Sequence, residues 1–162
     1  MAFVYENLLA VADALLDIQN VGTAGKRRAI STAYYAAFRR LASLCAASLA
    51  SDRDDFETVL RSLNHKQVLK DLKSEKVRSL FASAAVSTEI AALFETLLNA
   101  REWADYSSAA TIIAGKARDG VKVSRADAAK FVGNARAILS ALDALDAVTQ
   151  RKLAILLTFQ KR

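Results

Sequence analysis

The stretch from Ala24 to Ala50 constrains the fold more than any other part of the chain. Read at helical spacing, positions 30, 33, 34, 37, 41 and 44 form one apolar face, and 31, 35, 38, 42 and 45 form the face beside it. Both are apolar or aromatic except at Ser31. A helix with one apolar stripe needs one neighbour, whereas a helix apolar on two adjacent faces has to be surrounded. This segment therefore reads as a central strut. The rest of the chain has the means to surround it, since alanine and leucine dominate, proline is absent and only five residues are glycine. The expected fold class is all-α, an up-and-down bundle of about four to five main helices with additional short ones.

The other segments follow with short breaks. Leu8, Leu9, Ala12, Leu15 and Leu16 predict a helix over Val4–Gln19, ending before the two-glycine stretch NVGTAGK. In SDRDDFETVLRSLN either Asp52 or Asp54 is a suitable N-cap, NHKQVLKDLKS reads as a short helix or turn, and Ser74–Ala85 as another short helix. A stripe of Ile90, Leu93, Phe94, Leu97 and Leu98 predicts a helix over Ser87–Tyr106. Residues 107–123 lose the period and carry Gly115 and Gly120, which predicts a mobile loop. SRAD at 124–127 resembles a capping box opening a helix from Arg125 to about Leu145. Residues 1–146 are thus expected to form the helical domain, and 147–162 a C-terminal helical tail.

At 162 residues such a domain buries about 70% of its unfolded surface and needs no disulfide or metal to fold. The single cysteine, Cys45, falls on an apolar face and reads as a buried structural thiol. No run reaches the ~18 apolar residues of a membrane span. The first residues lack a basic n-region and are interrupted by Glu6, Asp13 and Asp17, so a cytoplasmic protein without membrane contact is expected.

Net charge is +6, and its distribution is uneven. Residues 1–20 carry acids and no base, whereas 21–50 carry Lys26, Arg27, Arg28, Arg39 and Arg40 and no acid. Opposite charge predicts that the first helix packs its acids against the second. The surplus of positive charge suits a nucleic-acid backbone, and equally a plain soluble surface.

One polar feature sits where an apolar stripe should continue. Past Leu97 the same face leads to Arg101, Ala104 and Asp105. Arg101 and Asp105 stand at i and i+4 and can pair, which an arginine on a buried stripe requires. Trp103 and Tyr106 enrich the same helix end in aromatics, Trp103 reading as packing.

Joined together, two motifs resemble the HEPN family (higher eukaryotes and prokaryotes nucleotide-binding). The first is STAYYAAF, contributing Ser31, Ala33, Tyr34, Tyr35, Ala36, Ala37 and Phe38. The second is Leu97, Arg101, Ala104, Asp105 and Tyr106, matching L-x-x-x-R-x-x-A-D-Y. NHKQVL with His65 is similar to the family's middle turn, and the likeness covers roughly residues 5–145. It implies a helical-bundle homodimer that binds RNA or a nucleotide, in a toxin–antitoxin or phage-defence setting, with a nucleotidyltransferase as partner protein. On that likeness Arg101 binds phosphate and Asp105 orients it, with Tyr106 beside them as the remaining catalytic candidate. Ser31, Tyr34, Tyr35 and His65 line the site, while Lys26, Arg27, Arg28 and Arg39 supply further phosphate contacts.

The family's ribonucleases use R-x(4–6)-H, and this chain departs from it. Only three residues separate Arg61 from His65, no histidine follows Arg101, and Arg39 stands where relatives often carry histidine. Acid–base chemistry needs a group titrating near neutrality, and the usual one is missing from the usual place. Any activity would be that of a metal-independent ribonuclease; the expectation leans to binding without catalysis. The alternative is a catalytically silent interaction or dimerisation protein that keeps the polar cluster for structure. The run GKARDGVKVS lacks the Gly-Lys-Ser/Thr of a phosphate loop, no residues have zinc spacing, and no cofactor is implied.

Overall fold

The structure, a computed structural model, describes residues 4–81, 83–106, 110–113, 116–119 and 123–159. These form eight helices: α1 (Val4–Asp17), α2 (Thr23–Leu49), α3 (Arg53–Ser62), α4 (His65–Leu72), α5 (Glu75–Arg78), α6 (Ala84–Tyr106), α7 (Arg125–Asp143) and α8 (Ala147–Phe159). Between α6 and α7 lie two short strands, β1 (Ala110–Ile113) and β2 (Lys116–Asp119). The protein is all-α apart from this hairpin. No described helix is long and apolar enough to cross a membrane.

Local sequence decides where the helices start. Asp52 caps α3 by accepting from the Asp55 amide at 2.9 Å, and Asn64 caps α4 through the Lys66 and Gln67 amides. At α7 the capping box is reciprocal: Ser124 Oγ accepts from the Asp127 amide at 2.9 Å, and Asp127 Oδ2 accepts from the Ser124 amide at 3.3 Å. Each such cap contributes about 1 kcal/mol. Asn20 holds φ 59° in the turn after α1, a left-handed position that asparagine tolerates better than most residues. At Gly25, in the first turn of α2, a Cβ would collide with the Val21 side chain.

The chain divides into two compact units, Met1–Ala37 with Leu93–Ile138, and Phe38–Ala92 with Leu139–Arg162. In the first, Tyr5, Ala12 and Leu16 of α1, Ile30, Ala33 and Tyr34 of α2, Leu97 and Leu98 of α6, and Val132, Ala135 and Ile138 of α7 are buried. In the second, α8 packs on α4 and α5, which also touch each other. Leu41, Leu44 and Cys45 of α2 and Val68, Leu72, Val77, Leu142 and Leu153 are buried there. Arg40 Nε donates to Asp143 Oδ1 at 2.7 Å. Full burial of one such aliphatic side chain stabilises by roughly 1.5–3 kcal/mol, and both apolar faces of α2 are buried apart from the half-buried Tyr35.

Three expectations need correction. Two of the three acids of α1 meet α7, not α2: Asp13 pairs with Arg136 at 2.7 Å and Asp17 with Arg125 at 3.2 Å. Charge totals named the sign of the partner but could not say which basic helix lay alongside. Ser74–Ala85 is not one helix. Ser74 caps a single turn ending at Arg78, and Ser83 Oγ then accepts from the Val86 amide at the start of α6. Serines at both places favour caps over helix interiors. Residues 107–123 are not wholly a loop, since Ala110–Ile113 pair antiparallel with Lys116–Asp119, Ala110 opposite Asp119 and Ile113 opposite Lys116. Thr111, Ile112 and Ile113 are residue types that favour a strand. The remainder of that stretch, 107–109, 114–115 and 120–122, lies outside the described residues.

Candidate functional site

The last two turns of α6 carry Arg101, Asp105 and Tyr106, and the first unit brings them to the tyrosines of α2. Arg101 Nη2 donates to Tyr35 Oη at 2.7 Å, across 66 residues of sequence, and to Tyr106 Oη at 3.2 Å. Its guanidinium carbon lies 5.3 Å from the Tyr35 ring centroid, 5.2 Å from that of Tyr106 and 6.0 Å from that of Tyr34. The Tyr34 and Tyr35 rings meet edge to face at 5.5 Å. Such cation–aromatic contacts stabilise by about 0.5–2 kcal/mol depending on how dry they are.

Arg101 Nε sits 2.9 Å from Asp105 Oδ2, with side-chain exposures of 13% and 23%. The two charges pair, yet Nε is buried and its N–H has no acceptor in line. Burial opposes the guanidinium's charge, but the hydrogen bond to Tyr35 and the electrostatic attraction of Tyr35, Tyr106 and Asp105 outweigh it and hold its pKa above the ordinary value. Burial pushes the Tyr34 phenol up, with Arg101 pulling the other way. Ser31, one turn before Tyr35 and 1% exposed, has a buried hydroxyl oxygen without a hydrogen-bond partner.

Beside this cluster a cleft of about 430 Å³ lies between the first turns of α2 and the last turn of α6, lined by Thr23, Ala24, Arg27, Arg28, Ala104 and Asp105. Arg27 is built into its wall. Its Nε donates to the Ala104 carbonyl at 2.7 Å, its Nη2 to the Trp103 carbonyl at 3.3 Å, and its guanidinium carbon lies 5.3 Å from the Trp103 ring centroid. Helix C-termini leave their last carbonyls unpaired and bear partial negative charge, so an arginine from α2 is a fitting cap. Arg28 is exposed on the cleft and Lys26 is half-buried.

The structure thus gathers Tyr34, Tyr35, Arg101, Asp105 and Tyr106 into one cluster, with Asp105 shared between it and the cleft that Arg27 and Arg28 line. Arg39 and His65 belong to the second unit. Arg39 is exposed, and the His65 ring lies 4.0 Å from that of Phe38 at the start of α4. Trp103, read from sequence as packing, is buried, and it also seats Arg27. Thr23, Ala24 and Ala104 escaped sequence reasoning because their contribution is backbone and space, which no residue type announces. Among the described residues no group of three or more His, Cys, Asp or Glu is placed to hold a metal ion. No protein-family model, no curated protein and no solved structure matches the chain.

Proposed function

We propose that this chain is a divergent HEPN-type module that binds the phosphates of RNA or of a nucleotide and does not cleave them. One observation carries the reading. The two segments that resemble the family, STAYYAAF and R-x-x-A-D-Y, meet through the Arg101–Tyr35 hydrogen bond at the edge of a cleft lined by two further arginines. In this reading Arg28 and Arg27 contact phosphate, Arg101 holds Asp105 and the tyrosines in place, and the chain acts as a homodimer. The toxin–antitoxin or phage-defence setting and the nucleotidyltransferase partner belong to the same proposal and rest on the sequence resemblance.

A second reading has its own support. Arg101 is 13% exposed and gives its donors to tyrosine hydroxyls, which is how an arginine serving structure alone would be placed. In that case the cluster ties α2 to α6 and the protein is a silent interaction module.

Binding of a fluorescent single-stranded RNA across a salt series separates the two. Affinity falling with salt, with Arg28→Ala lowering both the affinity and the slope by about 0.7 per lost phosphate contact, supports phosphate binding. Unchanged binding in Arg28→Ala, or none by the folded wild type, leaves the interaction reading.

A further inference from the structure

We propose that the outward face of α8 is a docking strip for an acidic amphipathic helix of another protein. Helix α8 has two apolar faces. Leu153, Ala154 and Leu157 are buried, and α8 packs on α4 and α5. On the other side Val148, Ile155 and Phe159 are 63%, 43% and 65% exposed. At about 100° per residue these three and Lys152 fall within roughly 60° of one another, and Leu157 points the opposite way. Single exposed apolar side chains are ordinary, but three in one line on a helix already packed on its far side form a patch.

The spacing identifies the kind of occupant. Val148, Lys152, Ile155 and Phe159 are separated by four, three and four residues, the alternation of a heptad seam, with Lys152 at a core position and Arg151 on its flank. A seam of that spacing receives side chains from another helix. Charge then selects which helix. From Ala147 to Phe159 α8 contains Arg151 and Lys152 and no acid. Both bases lie near its middle, so a second copy of α8, parallel or antiparallel, would bring Lys152 and Arg151 against their own copies. The acidic helices of a second copy are poorly suited, because Asp13 and Asp17 of α1 are already engaged by Arg136 and Arg125, and α3 carries Arg53 and Arg61 among its acids, with Glu57 paired to Arg61. An incoming helix with apolar a and d positions and glutamates beside them covers Val148, Ile155 and Phe159 and meets both cations.

The test uses the full chain and two fluorescein-labelled peptides of about three heptads, leucine at a and d, one with glutamate and one with lysine at e and g. A central glutamate at one a position of the acidic peptide faces Lys152. The acidic peptide is expected to bind, and the basic one not. Phe159→Asp and Ile155→Asp should each weaken binding at least about tenfold, as loss of a buried apolar anchor does. Lys152→Glu should reverse the preference between peptides, a result that loss of folding cannot produce. Circular dichroism checks that each variant is folded. Equal binding of both peptides, or binding of neither to the folded chain, overturns the proposal. So does self-association in sedimentation that Phe159→Asp abolishes, which makes a second copy the occupant. Binding to phosphatidylserine vesicles that Phe159→Asp abolishes makes it a lipid surface.

Discussion

Replacing Tyr35 by phenylalanine removes one oxygen and leaves an Arg101 N–H facing nothing, in a side chain 13% exposed. An unmatched charged donor in such a place costs about 1–3 kcal/mol, and a central value of about 2 lowers Tm by roughly 4–8 °C for a chain this size. Tyr106→Phe removes a similar hydrogen bond from a residue 73% exposed, where water replaces the lost oxygen, so its cost should stay below about 0.5 kcal/mol. Arg101→Ala removes the Tyr35 bond and the aromatic contacts, together with an Asp105 pair whose partial exposure limits it to about 1 kcal/mol. About 3–4 kcal/mol in all is expected. The double variant Arg101→Ala/Tyr35→Phe should then cost about 1–2 kcal/mol less than the two single changes added. Urea unfolding followed by circular dichroism measures the four variants against the wild type. A coupling below about 0.3 kcal/mol, or a Tyr106→Phe cost equal to that of Tyr35→Phe, would refute the view that Arg101 is clipped to α2 through Tyr35.

Arg27→Ala should strip the guanidinium from the single tryptophan, Trp103, and shift its fluorescence to the red. Binding of RNA at the cleft should perturb the same emission, and a silent Trp103 during titration would count against the cleft. Burial raises the Cys45 thiol from 9 to about 12, so the neutral form is favoured when folded. The stability this represents is complete below pH 9 and is lost as pH rises toward 12, at most about 4 kcal/mol. Cys45→Ala should flatten the fall in stability between pH 9 and 11. Asp146 is held below the usual carboxylate range by the amide and hydroxyl of Thr149, with the Val148 amide adding to them. Its contribution is therefore full above the unfolded value and lost as pH falls through the lower folded one. Asp146→Asn should make acid unfolding monitored by circular dichroism less steep, and an unchanged acid limb would remove the cap from the explanation.

Much of the fold was legible because helices are written locally. The apolar faces of α2, the span of α7, the capping box at Ser124 and the cap at Asp52, one of the two the sequence offered, are each settled within a turn or two of sequence. The i, i+4 pairing of Arg101 with Asp105 was legible for the same reason. What failed was non-local or depended on small signals. The acids of α1 have several basic segments to choose from, and only packing selects Arg125 and Arg136. Two four-residue strands are too short for a period to emerge, although the β-branched run before Ala114–Gly115 carried a hint. The Arg27 contact to the carbonyls of α6 could not be read at all, because its acceptors are backbone atoms 76 and 77 residues away.

If the cleft binds phosphate as proposed, that contact changes which arginine matters for it. Sequence resemblance places Arg101 first, yet Arg101 is enclosed by tyrosines and faces Asp105, and Arg27 already neutralises the carbonyl end of α6. Arg28 is exposed on the cleft and stands at the end of α2 where the helix's own partial charge is positive. Around the cleft, Arg27 is engaged by the Ala104 and Trp103 carbonyls and Arg101 by Asp105, which leaves the Arg28 charge to attract a phosphate. An anion entering from solvent reaches Arg28 without breaking an existing bond, whereas reaching Arg101 requires displacing Tyr106 or Asp105. Arg28→Ala should therefore cost more binding and less stability than Arg101→Ala. The opposite ranking in the same two assays would return the phosphate contact to Arg101.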